Sequence, residues 1–261
     1  MNIPLYQIDA FASQVFSGNP AAVCPLEDWL EEEVMQSIAA ENNLSETAFL
    51  VSQGQAYGLR WFTPLTEIDL CGHATLASAF VVFSHLEPEA KKVDFETKSG
   101  RLTVRQEGDL LSMDFPAREP EPCPAPAKLI EALGLRPEEV LRSRDYMAVL
   151  ADEEQVRSLA PKMGPLMEID GLGVIATAPG EAVDFVSRFF APKAGVPEDP
   201  VTGSAHSSLI PYWSRRLGKR ELHALQVSPR GGELFCRDEG ERVIIAGRAA
   251  PYLVGTISLP L

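Results

Sequence analysis

One short pattern occurs twice in this chain of 261 residues, and it restricts the fold more than any other feature. Residues 62–80 read FTPLTEIDLCGHATLASAF, and residues 190–213 read FAPKAGVPEDPVTGSAHSSLIPYW. Each copy begins with Phe-x-Pro, continues to an acidic residue, and then opens an apolar stretch with Gly-x-Ala. Because Phe62 and Phe190 are separated by about half the chain, the repeat predicts two domains of similar construction.

The residues around each copy follow the same order. A helical pattern and two β-rich runs precede the copy, and further strand-like runs follow it. Many strands with few helices favour an α+β fold. We therefore expect two similar, pseudo-symmetric domains, each a curved and mostly antiparallel sheet around a central helix. The central helices are predicted to start near Gly72 and Gly203, since the apolar runs that follow suit burial on all sides.

A proline-rich segment, FPAREPEPCPAPAKL at residues 115–129, lies between the two halves. Such a segment is stiff and extended, and it is typical of a domain boundary. We therefore predict an N-terminal domain at residues 1–116 and a C-terminal domain at residues 117–261.

The charge of the chain excludes two classes of partner. The formal net charge is −14 and the pI is about 4.8, so the chain lacks the basic footprint that nucleic acid or an acidic membrane surface requires. No apolar run reaches the roughly 20 residues that span a bilayer. The N-terminus also lacks the pattern of a secretory signal. We expect a cytoplasmic protein.

Metal, disulfide and cofactor chemistry is not indicated either. The four cysteines and four histidines show no metal-ligand spacing, so we expect neither a metal site nor a disulfide scaffold. The glycines of residues 171–180 do not form a nucleotide-binding G-x-G-x-x-G motif. No G-x-S-x-G elbow is present, which argues against a serine hydrolase.

The starts of the two predicted central helices suit an anionic ligand. A helix N-terminus carries free N–H groups and partial positive charge, which favour carboxylates or phosphates. Gly72 with His73, and Gly203 with Ser204, place small or polar residues at these positions. Ordinary helix capping is the alternative for one such start, but two matched copies favour a ligand in a cleft between the domains.

Four segments in order, DAFASQVFSGNPAAV, LSETAF, DLCGHAT and EDPVTGSAH, resemble the signatures of the phenazine-biosynthesis PhzF-like isomerase family. That family shares the diaminopimelate epimerase fold, and the resemblance spans nearly the whole chain. It implies a two-domain isomerase that uses no cofactor, is usually a homodimer, and has its site between the domains.

The resemblance also implies three catalytic residues. Glu46, in the SET motif, would move the proton, and His73 and Asp199 would act beside it. An isomerase of this type removes a proton from carbon with a general base and returns a proton elsewhere. Taken alone, Glu46 is as readily a solvated residue at a strand start, Asp199 a turn residue, and His73 a core imidazole.

The predicted substrate-binding residues are Gly72 and Ser204, which the resemblance implies, together with Gly203 at the second helix start and Asn19. Asn19 lies in SGNPAAV, where it could orient a carboxylate or serve in a turn. His206 lies one turn further into the second helix and is expected to be a core or supporting residue.

The thiol of Cys71 leaves a second mechanism open. Epimerases of the same fold use two thiols, one at each helix start. Cys71 occupies one such position, but Thr202 occupies the other, so the carboxylate route is favoured. A thiol-assisted amino-acid epimerase or racemase remains an alternative. So does a catalytically silent dimer of the same fold that binds small molecules or acts as a scaffold. The substrate is predicted only as a small carboxylic acid.

Overall fold

The computed structural model describes residues 1–259, which form two compact units. The first unit contains Met1–Asp114 together with the C-terminal segment from Ala246 onward. The second unit contains Phe115–Ile245.

Strands outnumber helices among the described residues. The helices are α1 (Glu32–Asn42), α2 (Gly72–Val81), α3 (Ala127–Leu133), α4 (Glu153–Arg157), α5 (Met163–Glu168) and α6 (Gly203–Leu217). The strands are β1 (Asn2–Ala10), β2 (Asn19–Leu26), β3 (Glu46–Ser52), β4 (Tyr57–Phe62), β5 (Glu67–Ile68), β6 (Lys92–Thr97), β7 (Gly100–Glu107), β8 (Leu110–Pro116), β9 (Glu121–Pro122), β10 (Glu139–Arg142), β11 (Tyr146–Val149), β12 (Val174–Pro179), β13 (Phe185–Ala191), β14 (Val196–Asp199), β15 (Glu221–Gln226), β16 (Gly232–Asp238), β17 (Arg242–Gly247) and β18 (Ala249–Ser258). Within residues 1–259, no helix is long and apolar enough to cross a membrane.

The sheet of the first unit is mostly antiparallel. Strand β1 pairs antiparallel with both β2 and β18, and β3 pairs antiparallel with β4. Two parallel pairings, β2 with β3 and β4 with β6, interrupt this pattern. Strands β6, β7 and β8 then continue as antiparallel neighbours. Helix α2 packs against β1, β2, β3 and β18, which makes it the central helix of this unit.

The last strand, β18, lies in a different unit from the one predicted. The sequence analysis placed it in a C-terminal domain of residues 117–261, but it is part of the first unit. Strand β18 belongs to the first unit because it pairs with β1 along nearly its whole length, with Asn2 opposite Ser258 and Ala10 opposite Ala249. A pairing between the two ends of a chain leaves no local signal in the sequence.

Burial of α2 explains its apolar sequence. Every residue of α2 is buried except Gly72 and Phe80. The two hydroxyl groups in this buried stretch bond to backbone carbonyls one turn earlier. Thr75 Oγ1 donates to the Cys71 carbonyl at 2.5 Å, and Ser78 Oγ donates to the Ala74 carbonyl at 2.7 Å. No hydroxyl in this buried stretch is therefore left without a partner.

The second unit repeats the strand order of the first. Strand β11 pairs parallel with β12, β12 pairs antiparallel with β13, and β13 pairs parallel with β15. The corresponding pairings in the first unit are β2 with β3, β3 with β4, and β4 with β6. In both units the central helix follows a short strand, β5 or β14. The repeat read from the sequence is thus a repeat of topology.

Helix α6 is the central helix of the second unit, and it accommodates a proline. Pro211 lies inside α6 and has no N–H to bond the Ser207 carbonyl one turn earlier. The backbone N–H of Arg118 bonds that carbonyl instead, at 2.9 Å. On the core side, the Trp213 ring stacks on Phe185, with centroids 5.7 Å apart.

Candidate active site

The first unit brings three of the predicted residues together. Strands β2 and β3 run parallel, with Ala21 opposite Glu46, so Asn19 and Glu46 lie at the same edge of the sheet. Helix α2 packs against both strands and carries His73 in its first turn. Cys71 precedes the helix in extended backbone, with φ −142° and ψ 110°. We call Asn19, Glu46, Cys71 and His73 the His73 cluster.

The imidazole of His73 lies between the other members of the cluster. Its Nε2 atom is 3.0 Å from Glu46 Oε2. Its Nδ1 atom is 3.2 Å from the side-chain amide of Asn19 and 3.5 Å from Cys71 Sγ. A carboxylate on one side and an amide with a thiol on the other hold the ring in one orientation.

Burial separates this cluster from bulk water. Asn19 is fully buried, and His73 and Cys71 are each 6% exposed. Glu46 keeps 13% of its side chain exposed. The carboxylate is therefore the member of the cluster that solvent or a small molecule reaches most readily.

The surroundings of His73 favour its charged form. Burial by itself lowers the pKa of His73, but the neighbouring Cys71 and Glu46 groups raise it by more, and the pKa lies well above 6.5. Burial, followed by the charge of Glu46, raises the pKa of the Cys71 thiol above 9.0. Both directions favour the protonated forms, the charged ring of His73 and the neutral thiol of Cys71.

Three members of the His73 cluster, Glu46, Cys71 and His73, are also potential metal ligands. One ligand atom from each of Glu46, Cys71 and His73 can be chosen so that all lie within 4.8 Å of one another. The imidazole, however, presents Nε2 to Glu46 and Nδ1 to Cys71. A cation on either nitrogen would have one of these partners on the far side of the ring. The arrangement suits the holding and transfer of a proton better than it suits a metal ion.

In the second unit, Asp199 is the last residue of β14 and is held by its neighbours. Its Oδ2 atom accepts a hydrogen bond from Thr202 Oγ1 at 2.5 Å. The Gln226 side chain donates to the Asp199 carbonyl at 2.7 Å and accepts from the Thr202 N–H at 2.8 Å. Gln226 lies on β15 and was not predicted, because its proximity to Asp199 depends on the pairing of distant strands.

A buried ion pair fixes the strand that carries Asp199. Arg188 on β13 is 7% exposed and bonds both oxygens of Glu198, at 2.7 and 2.9 Å. Its remaining donor group reaches three backbone carbonyls, of which that of Leu159 is nearest at 2.7 Å. A buried guanidinium is tolerated when its charge is paired and its donors are hydrogen-bonded, and Arg188 meets both conditions.

Gly203 and Ser204 open α6, as the sequence indicates. The Ser204 hydroxyl accepts a hydrogen bond from Arg144 Nη2 at 3.0 Å, and Arg144 also pairs with the buried Asp145. Nothing in the sequence near Arg144 marks it as a neighbour of Ser204. The predicted site residues therefore fall into two groups, Asn19, Glu46, Gly72 and His73 in the first unit and Asp199, Gly203 and Ser204 in the second.

His206 is a core residue of the second unit. It is fully buried, and its Nδ1 atom lies 2.9 Å from the Thr202 carbonyl. Burial lowers its pKa to about 4, despite the opposing effect of the hydrogen bond to Thr202. At neutral pH the ring is uncharged, which agrees with the prediction that His206 is a core or supporting residue.

Comparison with known proteins identifies the family. A family model described as phenazine biosynthesis-like protein (PhzC-PhzF) matches residues 8–255. The chain belongs to the PhzC-PhzF family. Among its relatives, an uncharacterized isomerase of Pseudomonas aeruginosa is 54% identical over 259 residues, which cover 99% of this chain and 100% of that protein. The predicted resemblance is confirmed.

Solved structures confirm the fold as well. The crystal structure of a PhzF family protein from Enterococcus faecalis has a TM-score of 0.98 and is 52% identical, covering 99% of this chain and 100% of that one. A hydroxyproline epimerase from Agrobacterium vitis, only 11% identical, has a TM-score of 0.61 over 99% of this chain and 93% of its own. PhzC-PhzF proteins therefore share the epimerase-like α+β architecture that the sequence predicts.

Proposed function

We propose that this protein is an isomerase that moves a proton between positions on a small carboxylic acid, with Glu46 as the general base and without a bound cofactor. The observation that carries the proposal is the contact of Glu46 with His73 in a buried cluster at the start of α2. The isomerase names of the bacterial relatives agree with this class of reaction.

The roles of the two residues follow from their geometry. His73 contacts Glu46 through Oε2, which leaves Oε1 of the same carboxylate to approach a substrate C–H bond. His73 lies 3.0 Å from the carboxylate and orients it through their electrostatic contact. When Glu46 takes the proton from carbon, the resulting carboxyl group can return it at another position, as general acid–base catalysis requires.

Recognition of a carboxylic acid is supported by the start of α2. The first N–H groups of a helix have no partners within it, and the helix dipole adds partial positive charge there. The first turn of α2 contains Gly72 and His73 and no acidic residue. In a chain of net charge −14, this is a local environment that favours an anion.

Hydrogen exchange tests the proposal directly. The protein is incubated in D2O with a panel of small cyclic and amino-acid-derived carboxylic acids, and deuterium on carbon is followed by 1H NMR and mass spectrometry. The wild type should label at least one of these acids, and Glu46→Gln should reduce the rate by at least about a hundredfold. Glu32→Gln is the matched control, since Glu32 pairs with Arg60 at the surface. Equal labelling by Glu46→Gln and wild type would exclude Glu46 as the base.

The same assay separates the carboxylate route from the thiol route. Cys71 stays protonated near neutral pH, so Cys71→Ser should keep labelling within about tenfold of wild type. A loss as large as that of Glu46→Gln would favour the thiol-assisted alternative.

The roles of Asp199 and Ser204 stay predictions, which Asp199→Asn and Ser204→Ala test under identical conditions. The predicted homodimer is tested by size-exclusion chromatography with light scattering.

A further inference from the structure

A cavity of about 330 Å³ lies at the opposite end of α2 from the His73 cluster. Phe80, Phe83 and Leu111 give it an apolar wall, and no member of the cluster lines it. Phe80 follows His73 by seven residues, which corresponds to roughly 10 Å along a helix axis. The cavity is therefore separate from the proposed active site, although both adjoin the same helix.

The polar part of the cavity contains one cation. Arg248 lines it, and the guanidinium Nε atom bonds Asp109 Oδ2 at 2.5 Å. Asp109 belongs to the turn between β7 and β8 and its side chain is 69% exposed, whereas that of Arg248 is 32% exposed. Exposed ion pairs contribute little to stability. A carboxylate from a ligand can therefore replace that of Asp109 beside the Arg248 guanidinium.

The backbone at this end of α2 is unusual. The helix passes directly into a π-helical turn, Val82–Leu86, which contributes Phe83 and Ser84 to the cavity. π-helical turns are rare in proteins and occur frequently at functional sites. Phe80 from α2 and Phe83 and Ser84 from this turn all line the cavity.

We propose that this cavity binds a small aromatic carboxylic acid. The ring of the ligand would pack on Phe80, Phe83 and Leu111, and its carboxylate would pair with Arg248. Gln106 and Ser13 would complete the polar side. An apolar wall with a few convergent polar groups and one charge is the usual composition of a small-molecule site.

Binding is measured with 4-fluorobenzoate as the probe, by 19F NMR titration and by amide shifts in a 1H–15N TROSY spectrum. We expect a dissociation constant of about 1 mM, as suits a ligand of this size. Saturable shifts should occur at Ser84, at Asp109 and at Ala249. The neutral analogue 4-fluorobenzamide should bind at least about tenfold more weakly, because it lacks the charge that pairs with Arg248.

Two substitutions act in opposite directions on this site. Arg248→Gln should weaken binding of 4-fluorobenzoate by about tenfold or more. Asp109→Asn should tighten it roughly two- to fivefold, since it removes the competing carboxylate. Arg237→Gln, which breaks a similar surface pair with Glu239, is the matched control and should change nothing.

A further variant keeps the test decisive if Arg248→Gln does not fold. Ser84 is exposed, so Ser84→Trp can fill the cavity without disturbing the core, and it should abolish the saturable shifts at Asp109. Glu46→Gln should leave them intact. The proposal is overturned if the shifts are confined to Gly72 and His73, or if Ser84→Trp and Asp109→Asn both bind as the wild type does.

Discussion

At the scale of single residues, the charge on His73 is the feature that most affects chemistry. Burial opposes its charge, but Cys71 and Glu46, the latter 3.0 Å away, raise its pKa by more. Glu46→Gln removes the nearby carboxylate and leaves burial as an opposing effect, so the pKa of His73 should fall. A 13C–1H NMR titration of the histidine rings measures this. Cys24→Ser is the control, and an unchanged His73 titration in Glu46→Gln would contradict the assignment.

The same contact has a consequence for stability. A histidine whose pKa is raised on folding binds its proton more tightly in the folded state. Its contribution is fully present below the unfolded pKa of about 6.5 and is lost as the pH rises through the folded pKa. The free energy of unfolding of the wild type should therefore decline above pH 6.5 more steeply than that of His73→Asn, as measured by urea denaturation at several pH values.

His206 should give the opposite dependence on pH. Its pKa falls from 6.5 to about 4 on folding, so the unfolded chain takes up a proton that the folded chain rejects. Its contribution is present above pH 6.5 and is lost as the pH falls toward 4. Between pH 7 and pH 5 this loss amounts to roughly 2 kcal/mol. His206→Gln should show a smaller drop in the free energy of unfolding between pH 7 and pH 5 than the wild type, even if the substitution also changes the stability at pH 7.

His223 supplies the control for this measurement. Its side chain is 38% exposed and pairs with Glu233 at the surface. His223→Gln is measured by urea denaturation at pH 7 and pH 5 as the surface counterpart of His206→Gln. If His206→Gln keeps the wild-type difference between the two pH values, the buried ring does not account for acid sensitivity.

At the scale of elements, the two central helices show how much local sequence can predict. Their apolar runs and small first residues indicate where α2 and α6 begin and that they are buried, because a buried helix needs apolar side chains and small residues where other backbone comes close. The contacts at their ends were not predictable. Gln226 and Arg144 reach the start of α6 from separate strands and loops, so their contacts depend on the packing of the whole unit. The Arg118 N–H that bonds the Ser207 carbonyl also comes from a distant part of the sequence.

The contact of α6 with the sheet has a measurable energy. Trp213 Nε1 donates to Thr177 Oγ1 at 3.0 Å, and both residues are fully buried. Thr177→Val leaves the indole N–H without an acceptor and should destabilise the protein by about 2 kcal/mol. Trp213→Phe removes the donor, so Thr177→Val should cost less in that background. Chemical denaturation of the four proteins in this double-mutant cycle measures the coupling, and strict additivity would show that the bond contributes nothing.

At the scale of the whole molecule, the internal repeat accounts for most of what the sequence could establish. Equivalent strands pair in the same order in both units, and two of the four family motifs, DLCGHAT and EDPVTGSAH, lie at corresponding places in the repeat. The position of β18 in the fold could not be predicted from the repeat. Its residues Pro251–Val254 are exposed and apolar in part, so periodicity alone does not show which unit they join. Only the pairing with β1 decides it.

That pairing yields a prediction about the first unit. Strand β1 lies between β2 and β18, and its residue Ile3 packs into the core beside α1. A chain ending at Gly247 removes one neighbour of β1 along its whole length, so backbone N–H groups that bonded β18 become exposed. Hydrogen–deuterium exchange should show lost protection in β1 and β2, while β12 and β13 of the second unit keep theirs. Because β12 and β13 pair within their own unit, their protection serves as the internal control. Unchanged protection of β1 in the shortened chain would show that the first unit is complete without its last strand.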